Sequence, residues 1–188
     1  VQAILEERHR FSSVYGTDAG SGNVNITATN GNLSVSSAGV SGGAGTISIK
    51  TNDGNLTTIG AVSSSNGAIT LDANDGESGN KILTIGSSGV SSGSGAVTLR
   101  SDDDIVINGN VTGGSIAAIA DNDDSDGTAD VNGNIAGTGN LNSLDVELYA
   151  SGGITAQISS INGSLAFTNK DSGNVSITNA VSGFSVDY

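Results

Sequence analysis

The feature that most constrains the fold is a recurring pair of elements, a small-residue turn followed by an alternating strand. In residues 39–49 the apolar residue Val40 follows the turn, and Ile47 opens the strand after a glycine-rich corner. These two apolar residues are seven positions apart, and the same spacing recurs in two further pairs, Val62 with Ile69 and Val90 with Val97. A chain that repeats a short unit in this way is typical of a stack of similar units.

The period of the repeat distinguishes between repeat architectures. The apolar residues that we assign to the third strand of each unit follow one another at steps of 20 to 28 residues: Val40, Val62, Val90, Val111, Ile135, Ile161 and Val181. Solenoids have periods from about 20 residues upward, whereas a four-stranded propeller blade needs about 40. Each unit holds three short strands with apolar residues at every second position, which one unit alone cannot bury. The period therefore favours a solenoid.

The fold class that follows is all-β, a right-handed parallel β-helix of about seven coils. Stacked coils bury their apolar sides against each other, and parallel crossovers are overwhelmingly right-handed. With strands about 4.8 Å apart, seven coils form a rod roughly 34 Å long. The chain also contains recurrent Asn-Gly pairs, such as Asn30-Gly31 and Asn66-Gly67, which in isolation predict hairpins. An antiparallel meander is therefore the main structural alternative.

Composition fits a thin core and excludes some partners. Aromatic residues are 3% of the chain and 29 residues are glycine. Such a composition suits stacked β-branched side chains but also suits disorder, against which the regular spacing of Val, Ile and Leu argues. A net charge of −13 would repel nucleic acid and anionic membranes, and no apolar run is long enough to span a bilayer. We therefore expect neither nucleic-acid binding nor membrane insertion.

Residues 1–21 do not follow the repeat and are predicted to form a separate N-terminal cap or linker. Val1, Ile4 and Leu5 fall at helical spacing, which predicts a short helix over residues 1–11. Such a helix could cover the open end of a strand stack, and a leftover linker is the alternative. The β-solenoid repeat domain is predicted to span residues 22–188.

The repeat resembles the repeat regions of filamentous-haemagglutinin-like bacterial exoproteins, which are large secreted or surface-held adhesins. The resemblance covers about residues 22–188 and is carried by short Gly-Asn and Gly-Thr units: residues 22–26, 31–35, 45–49, 54–57 and 173–177. It implies a stalk or adhesive filament at a bacterial surface and carries over no catalytic residues. The secretion domain of that family usually carries Asn-Pro motifs. This chain has no proline, so the resemblance implies a piece of the repeat shaft.

One acidic stretch has the spacing of a calcium loop. Residues 121–127 read Asp-Asn-Asp-Asp-Ser-Asp-Gly, and alternate oxygen-bearing side chains in a tight loop can converge on one hard cation. The candidate metal ligands are Asn122, Asp124, Asp126 and Asp130. The pattern departs from a calcium loop at Gly133, where a bidentate Glu belongs. A solvated acidic insertion at a coil corner is therefore the alternative, and Ca²⁺ is the only cofactor that the sequence suggests.

No catalytic constellation is evident, and we expect a protein that is not an enzyme. Asp102, Asp103 and Asp104 close one turn. Paired acids can cleave sugars when they stand about 6.5–9.5 Å apart. Arg100 is the only nearby base, however, and the chain has few aromatic residues to line a sugar-binding groove. His9 is the sole histidine and has no evident partner for catalysis.

These observations predict a structural or adhesive shaft segment of a large secreted or surface-attached bacterial protein. Its partners would be the rest of a longer parent chain and a glycan or protein on a host or neighbouring cell, and its strand edges would also permit end-to-end self-association. The alternatives are a calcium-dependent extracellular scaffold and a β-helix carbohydrate-binding module or carbohydrate-active enzyme.

Overall fold

The computed structural model describes residues 2–5, 11–73, 81–120, 133–161, 163–170, 173–178 and 185–187. These residues form strands joined by short turns and contain no helix. Every strand pairing among them is parallel, so the antiparallel alternative is wrong. The fold is a parallel β-helix, as the repeat predicts.

Each coil contributes strands to three faces. Face 1 is a sheet of nine described strands, which are β1 (Gln2–Leu5), β4 (Val24–Ala28), β7 (Ile47–Thr51), β10 (Ile69–Ala73), β13 (Ala96–Ser101), β16 (Ser115–Ala120), β19 (Asp145–Ala150), β21 (Ser164–Asn169) and β23 (Ser185–Asp187). Face 2 contains β2 (Phe11–Val14), β5 (Asn32–Val35), β8 (Leu56–Thr58), β11 (Leu83–Ile85), β14 (Ile105–Ile107), β17 (Ile135–Ala136), the first half of β20 (Ile154–Ile161) and β22 (Val175–Thr178).

Face 3 is built from the shortest strands, and it joins face 2 through one long strand. It contains β3 (Thr17–Asp18), β6 (Val40–Ser41), β9 (Val62–Ser63), β12 (Val90–Ser91), β15 (Val111–Thr112) and β18 (Asn140–Ser143). The strand β20 pairs with β17 through Ile154 and with β18 through Ile158, so faces 2 and 3 form one sheet. Within the described ranges, seven successive coils, from β1–β2–β3 to β19–β20, have a strand on each face.

The core is a set of apolar ladders in which like residues stack on like residues. One ladder on face 2 runs Leu33, Leu56, Leu83, Ile105, Ile135 and Ile154, all at 1% exposure or less. Face 3 contributes the ladder Val40, Val62, Val90 and Val111, as the spacing predicts. Burying one such side chain contributes about 1.5–3 kcal/mol, and no single coil could do so alone.

The predicted helical cap is not seen. Residues 2–5 form β1, which pairs with β4, and residues 11–14 form β2, which pairs with β5. The register sets Ala3 opposite Ile26 and Leu5 opposite Ala28, so these two residues take the register positions of two buried residues of β4. Pairing with β4 also gives the backbone of β1 hydrogen-bond partners on the next coil, whereas a short isolated helix is marginal in water.

Two of the third-strand residues need correction: Ile135 lies on face 2, and Ile161 lies on face 3 but three residues beyond the position that continues the ladder. Ile135 pairs with Ile105 on face 2, and the residue that follows Val111 on face 3 is Leu141. Ile161 pairs with Ser143, while Ile158 is the residue that stacks on Leu141. The reason is the uneven coil length: the step from Asp104 to Asn134 is 30 residues, whereas the step from Asp145 to Ser164 is 19. Val181 lies outside the described residues.

Candidate functional site

The predicted calcium ligands cannot be placed. Asn122, Asp124, Asp126 and Asp130 all lie in residues 121–132, outside the described residues. Elsewhere in the described ranges, no group of three or more His, Cys, Asp or Glu side chains is arranged to hold a metal ion. Ala120 is the last described residue before this stretch and pairs with Ser101, and Gly133 is the first described residue after it.

The acidic turn that follows Ser101 is largely enclosed. Asp102 and Asp103 are 3% and 7% exposed, and their backbone N–H groups donate to the carbonyls of Ala73 and Lys81 at 3.1 and 3.0 Å. Asp104 is only partly buried. Its Oδ1 accepts from both the backbone N and the Nδ2 of Asn134, at 2.8 and 3.0 Å. Asp104 therefore links one coil to the next.

This contact belongs to a ladder of side-chain oxygens at the corner that precedes face 2. Asn32 Oδ1 accepts from the backbone N of Asn55, and Asn55 Oδ1 accepts from the backbone N of Ile82, both at 2.9 Å. Asn134 continues the pattern, because its Oδ1 accepts from Gly153 N at 2.6 Å. The sequence predicts Asn and Asp at corners as replacements for turn hydrogen bonds within a coil. The structure shows that these side chains bond across coils.

A row of three charged residues crosses the outer side of face 1. Lys50, Asp72 and Arg100 are register partners on β7, β10 and β13. Lys50 Nζ lies 3.9 Å from Asp72 Oδ2, while Asp72 Oδ1 is buried without a hydrogen bond. Burial raises the pKa of Asp72 above its ordinary value of 3.8, and the positive charges of Lys50 and Arg100 oppose that rise. The environment of Asp72 therefore disfavours the charged form of its carboxyl group.

A second charged group lies further along face 1, on β19. Asp145 and Glu147 are exposed, Tyr149 is half-buried, and the intervening Val146 and Leu148 are buried. Asp145 Oδ1 accepts from the N and Oγ of Ser164 at 2.8 and 2.9 Å. These hydrogen bonds lower the pKa of Asp145, which keeps its carboxylate ionised.

The two carboxylates border a depression of about 380 Å³ in the surface of face 1. Register sets Ala117 on one side of Glu147 and Ala166 on the other. Two methyl groups beside a long side chain leave open space on both sides of it. The lining also includes Thr98 and Ser164, and none of its described residues is basic.

Face 3 carries another depression, of about 400 Å³, near the first coil. Asp18 is the only charged residue among the described lining, and the rest of that lining is small: Gly16, Thr17, Ala38, Val40, Ser41, Ala61 and Ser63. Asp18 Oδ1 already accepts from Gly20 N at 2.9 Å. This depression therefore matches the one on face 1 in size, but it has one carboxylate where the other has two.

The group on β19 was missed in the sequence. In residues 145–150, Asp145, Glu147 and Tyr149 alternate with the apolar Val146, Leu148 and Ala150. This alternation alone predicts a strand with the first three side chains on its outer face. The neighbours Ala117 and Ala166 are not readable in the same way, because pairing them with Glu147 requires the register across coils of very different length.

Comparisons with known proteins add no relative. No protein family, curated protein or solved structure matches the chain. The resemblance to filamentous-haemagglutinin-like exoproteins therefore stays a prediction. No helix in the described ranges is long and apolar enough to cross a membrane.

Proposed function

We propose that this chain is a structural shaft segment of a large secreted or surface-attached bacterial protein. The observation that carries the proposal is the apolar core, which continues through the stacked coils from Val14 to Leu165. A fold whose strands all pair along one axis gains length by adding coils, and its stability is a sum of neighbour contacts. Such a rod suits a spacer that holds a partner-binding region away from a surface.

The contacts between coils give the shaft its stiffness. Each coil bonds to the next through parallel backbone hydrogen bonds, through the apolar ladders and through side-chain oxygens such as those of Asn55 and Asn134. Pulling on the ends must break these contacts one coil at a time, because each repeat contacts only its neighbours. Outward side chains that take no part in these contacts can engage other molecules.

The acidic composition and the sequence resemblance support an extracellular location. A net charge of −13 keeps such a rod soluble and discourages non-specific contact with nucleic acid and anionic lipid. The filamentous-haemagglutinin-like pattern of residues 22–188 supports a bacterial surface and a longer parent chain. A glycan or protein on an opposing cell would be the partner of the parent.

Single-molecule force spectroscopy tests the shaft. The chain is pulled by its two ends between flanking reference domains of known unfolding force. Equivalent positions on adjacent coils are separated by as few as 17 and as many as 30 residues. Release of one coil at a time predicts a series of small extensions, each about 60–100 Å at roughly 3.4 Å per residue. Extension without measurable resistance would refute a load-carrying role, and one single event for the whole chain would refute coil-by-coil release.

A calcium-dependent scaffold is the second candidate. The observation in its favour is the position of the acidic turn: Ala120, which precedes residues 121–130 in the sequence, pairs with Ser101, and Ser101 directly precedes the buried Asp102 and Asp103. If residues 121–130 bind Ca²⁺ beside this turn, metal will stabilise the folded state. Thermal unfolding followed by circular dichroism, with millimolar Ca²⁺ and then with excess chelator, measures this. An unchanged Tm would exclude calcium as a folding ligand.

A further inference from the structure

The outer side of β19 combines features that the shaft role does not require. Two carboxylates, Asp145 and Glu147, point outward from alternate positions of one strand. Their Cα atoms therefore lie roughly 7 Å apart, the span of two residues of a strand. Tyr149 is the next outward residue along the same strand. Leu144, which precedes Asp145, is 55% exposed and adds apolar surface at the edge of the group.

Charge complementarity identifies the kind of ligand. Among the described residues the depression has an acidic lining and no basic side chain, and the hydrogen bonds from Ser164 favour the ionised form of Asp145. Carboxylates form their strongest hydrogen bonds with ammonium and guanidinium groups. The group that fits is therefore a lysine or arginine side chain.

The shape of the depression identifies the source of that cation. It is open to solvent on a sheet face, and the short side chains of Ala117 and Ala166 make it shallow on each side of Glu147. A site of this kind cannot enclose most of a small molecule, as ligand pockets usually do. A partner protein can add contact with the rim, including the exposed Leu144, and aromatic residues are enriched at such contacts.

We propose that the depression on face 1 docks a lysine- or arginine-bearing segment of a partner protein, with the cation between Asp145 and Glu147 and its aliphatic stem over Ala117 and Ala166. This docking site does not depend on the shaft role. The depression on face 3 provides an internal comparison, because its described lining contains one carboxylate, that of Asp18.

The experiment titrates an isotope-labelled sample of the whole chain with a decapeptide of alternating lysine and serine, at low salt. Backbone amide shifts report where the peptide binds, and fluorescence anisotropy of a labelled peptide reports the affinity. The variants are Glu147→Gln, which removes one carboxylate of the site, and Asp18→Asn, which removes an equal charge from face 3. Ala117→Arg is a second site variant, because it sets a guanidinium of the chain itself beside Glu147.

The proposal expects shifts that cluster around Thr98, Ala117 and Ala166. Glu147→Gln should weaken binding by about fivefold or more, Ala117→Arg should abolish it, and Asp18→Asn should change it less than about twofold. All three positions are on the surface, so each variant should fold, and circular dichroism checks this. These outcomes together support docking at face 1.

Other outcomes overturn the proposal. Equal weakening by Glu147→Gln and Asp18→Asn, or shifts spread over the chain, would show attraction to the net charge alone. Absence of binding would exclude the site. If spermidine or a neutral hexasaccharide competes at the same residues as tightly as the peptide, the ligand is a small cation or a glycan and not a protein segment.

Discussion

Adjacent coils stack closely at one corner, and this predicts that two glycines at that corner differ in how much stability is lost when each is replaced by alanine. Gly43 and Gly20 occupy equivalent corners of adjacent coils, and both have positive φ, +53° and +59°. A Cβ on Gly20 would meet nothing within 4 Å, whereas a Cβ on Gly43 would stand 2.5 Å from the carbonyl carbon of Gly20 and still closer to its oxygen. Gly20→Ala therefore tests backbone strain alone, and Gly43→Ala tests strain together with the clash.

The expected magnitudes follow from that difference. Alanine at positive φ costs about 1–2 kcal/mol in either variant. At Gly43 the corner must also move by roughly 1 Å, because carbon atoms pack best at about 3.5–4.0 Å. That movement weakens the flanking bonds that Ala19 N donates to Ser41 O and that Thr46 N donates to Asn23 Oδ1, both at 3.0 Å. Losing two such bonds costs about 1 kcal/mol each, so Gly43→Ala should cost about 3–4 kcal/mol in all.

Urea unfolding followed by circular dichroism measures both variants against the parent chain. The expected result is a loss at Gly43 that exceeds the loss at Gly20 by about 2 kcal/mol, with the same dependence on urea concentration. Losses that agree within about 0.5 kcal/mol would refute the reasoning, because the corner would then tolerate an added methyl group despite the contact.

Further predictions concern the core, a buried charge and the corner ladder. Leu83 is fully buried and Leu144 is exposed, so Leu83→Ala should cost about 3 kcal/mol in urea unfolding, whereas Leu144→Ala should stay within about 0.5 kcal/mol. Similar losses would contradict the ladder core. Asp72→Asn should raise the free energy of unfolding at neutral pH, because a raised pKa means that ionised Asp72 destabilises the fold. The gain should shrink as pH falls through the raised pKa and vanish below 3.8, and a gain that persists there would disprove this cause. Asn134 bonds to Asp104 and to Gly153 N, and removing its side chain in Asn134→Ala should cost about 1–2 kcal/mol in the same unfolding assay. No change would show that water replaces these bonds.

The repeat itself could be predicted because its signal is local. The spacing from Val40 to Ile47 and the alternation of small polar with β-branched residues specify short strands whose apolar side needs a stack. Residues of type Asn, Asp and Gly mark the corners for similarly local reasons. These features favour a parallel β-helix without knowledge of which coil contacts which, and the parallel pairings of the structure exclude the antiparallel alternative.

The N-terminal residues show where a local sequence pattern is not enough to predict secondary structure. The spacing of apolar residues in residues 2–5 does not separate a helix from a strand, since so short a segment samples barely one helical turn. Tertiary pairing with Val24–Ala28 decides in favour of the strand, because β4 offers a row of backbone donors and acceptors.

By itself, then, the sequence determined the class of fold and the chemistry available on the coil, including the alternating outward residues Asp145, Glu147 and Tyr149. Only the tertiary structure decided the register, because coil length changes from 30 residues to 19 and each change shifts every neighbour that follows. Register is what sets Ala117 and Ala166 beside Glu147, and what brings Asn134 to Asp104. A contact between coils is a property of stacking, and stacking is fixed by the sum of many buried ladders rather than by any one segment.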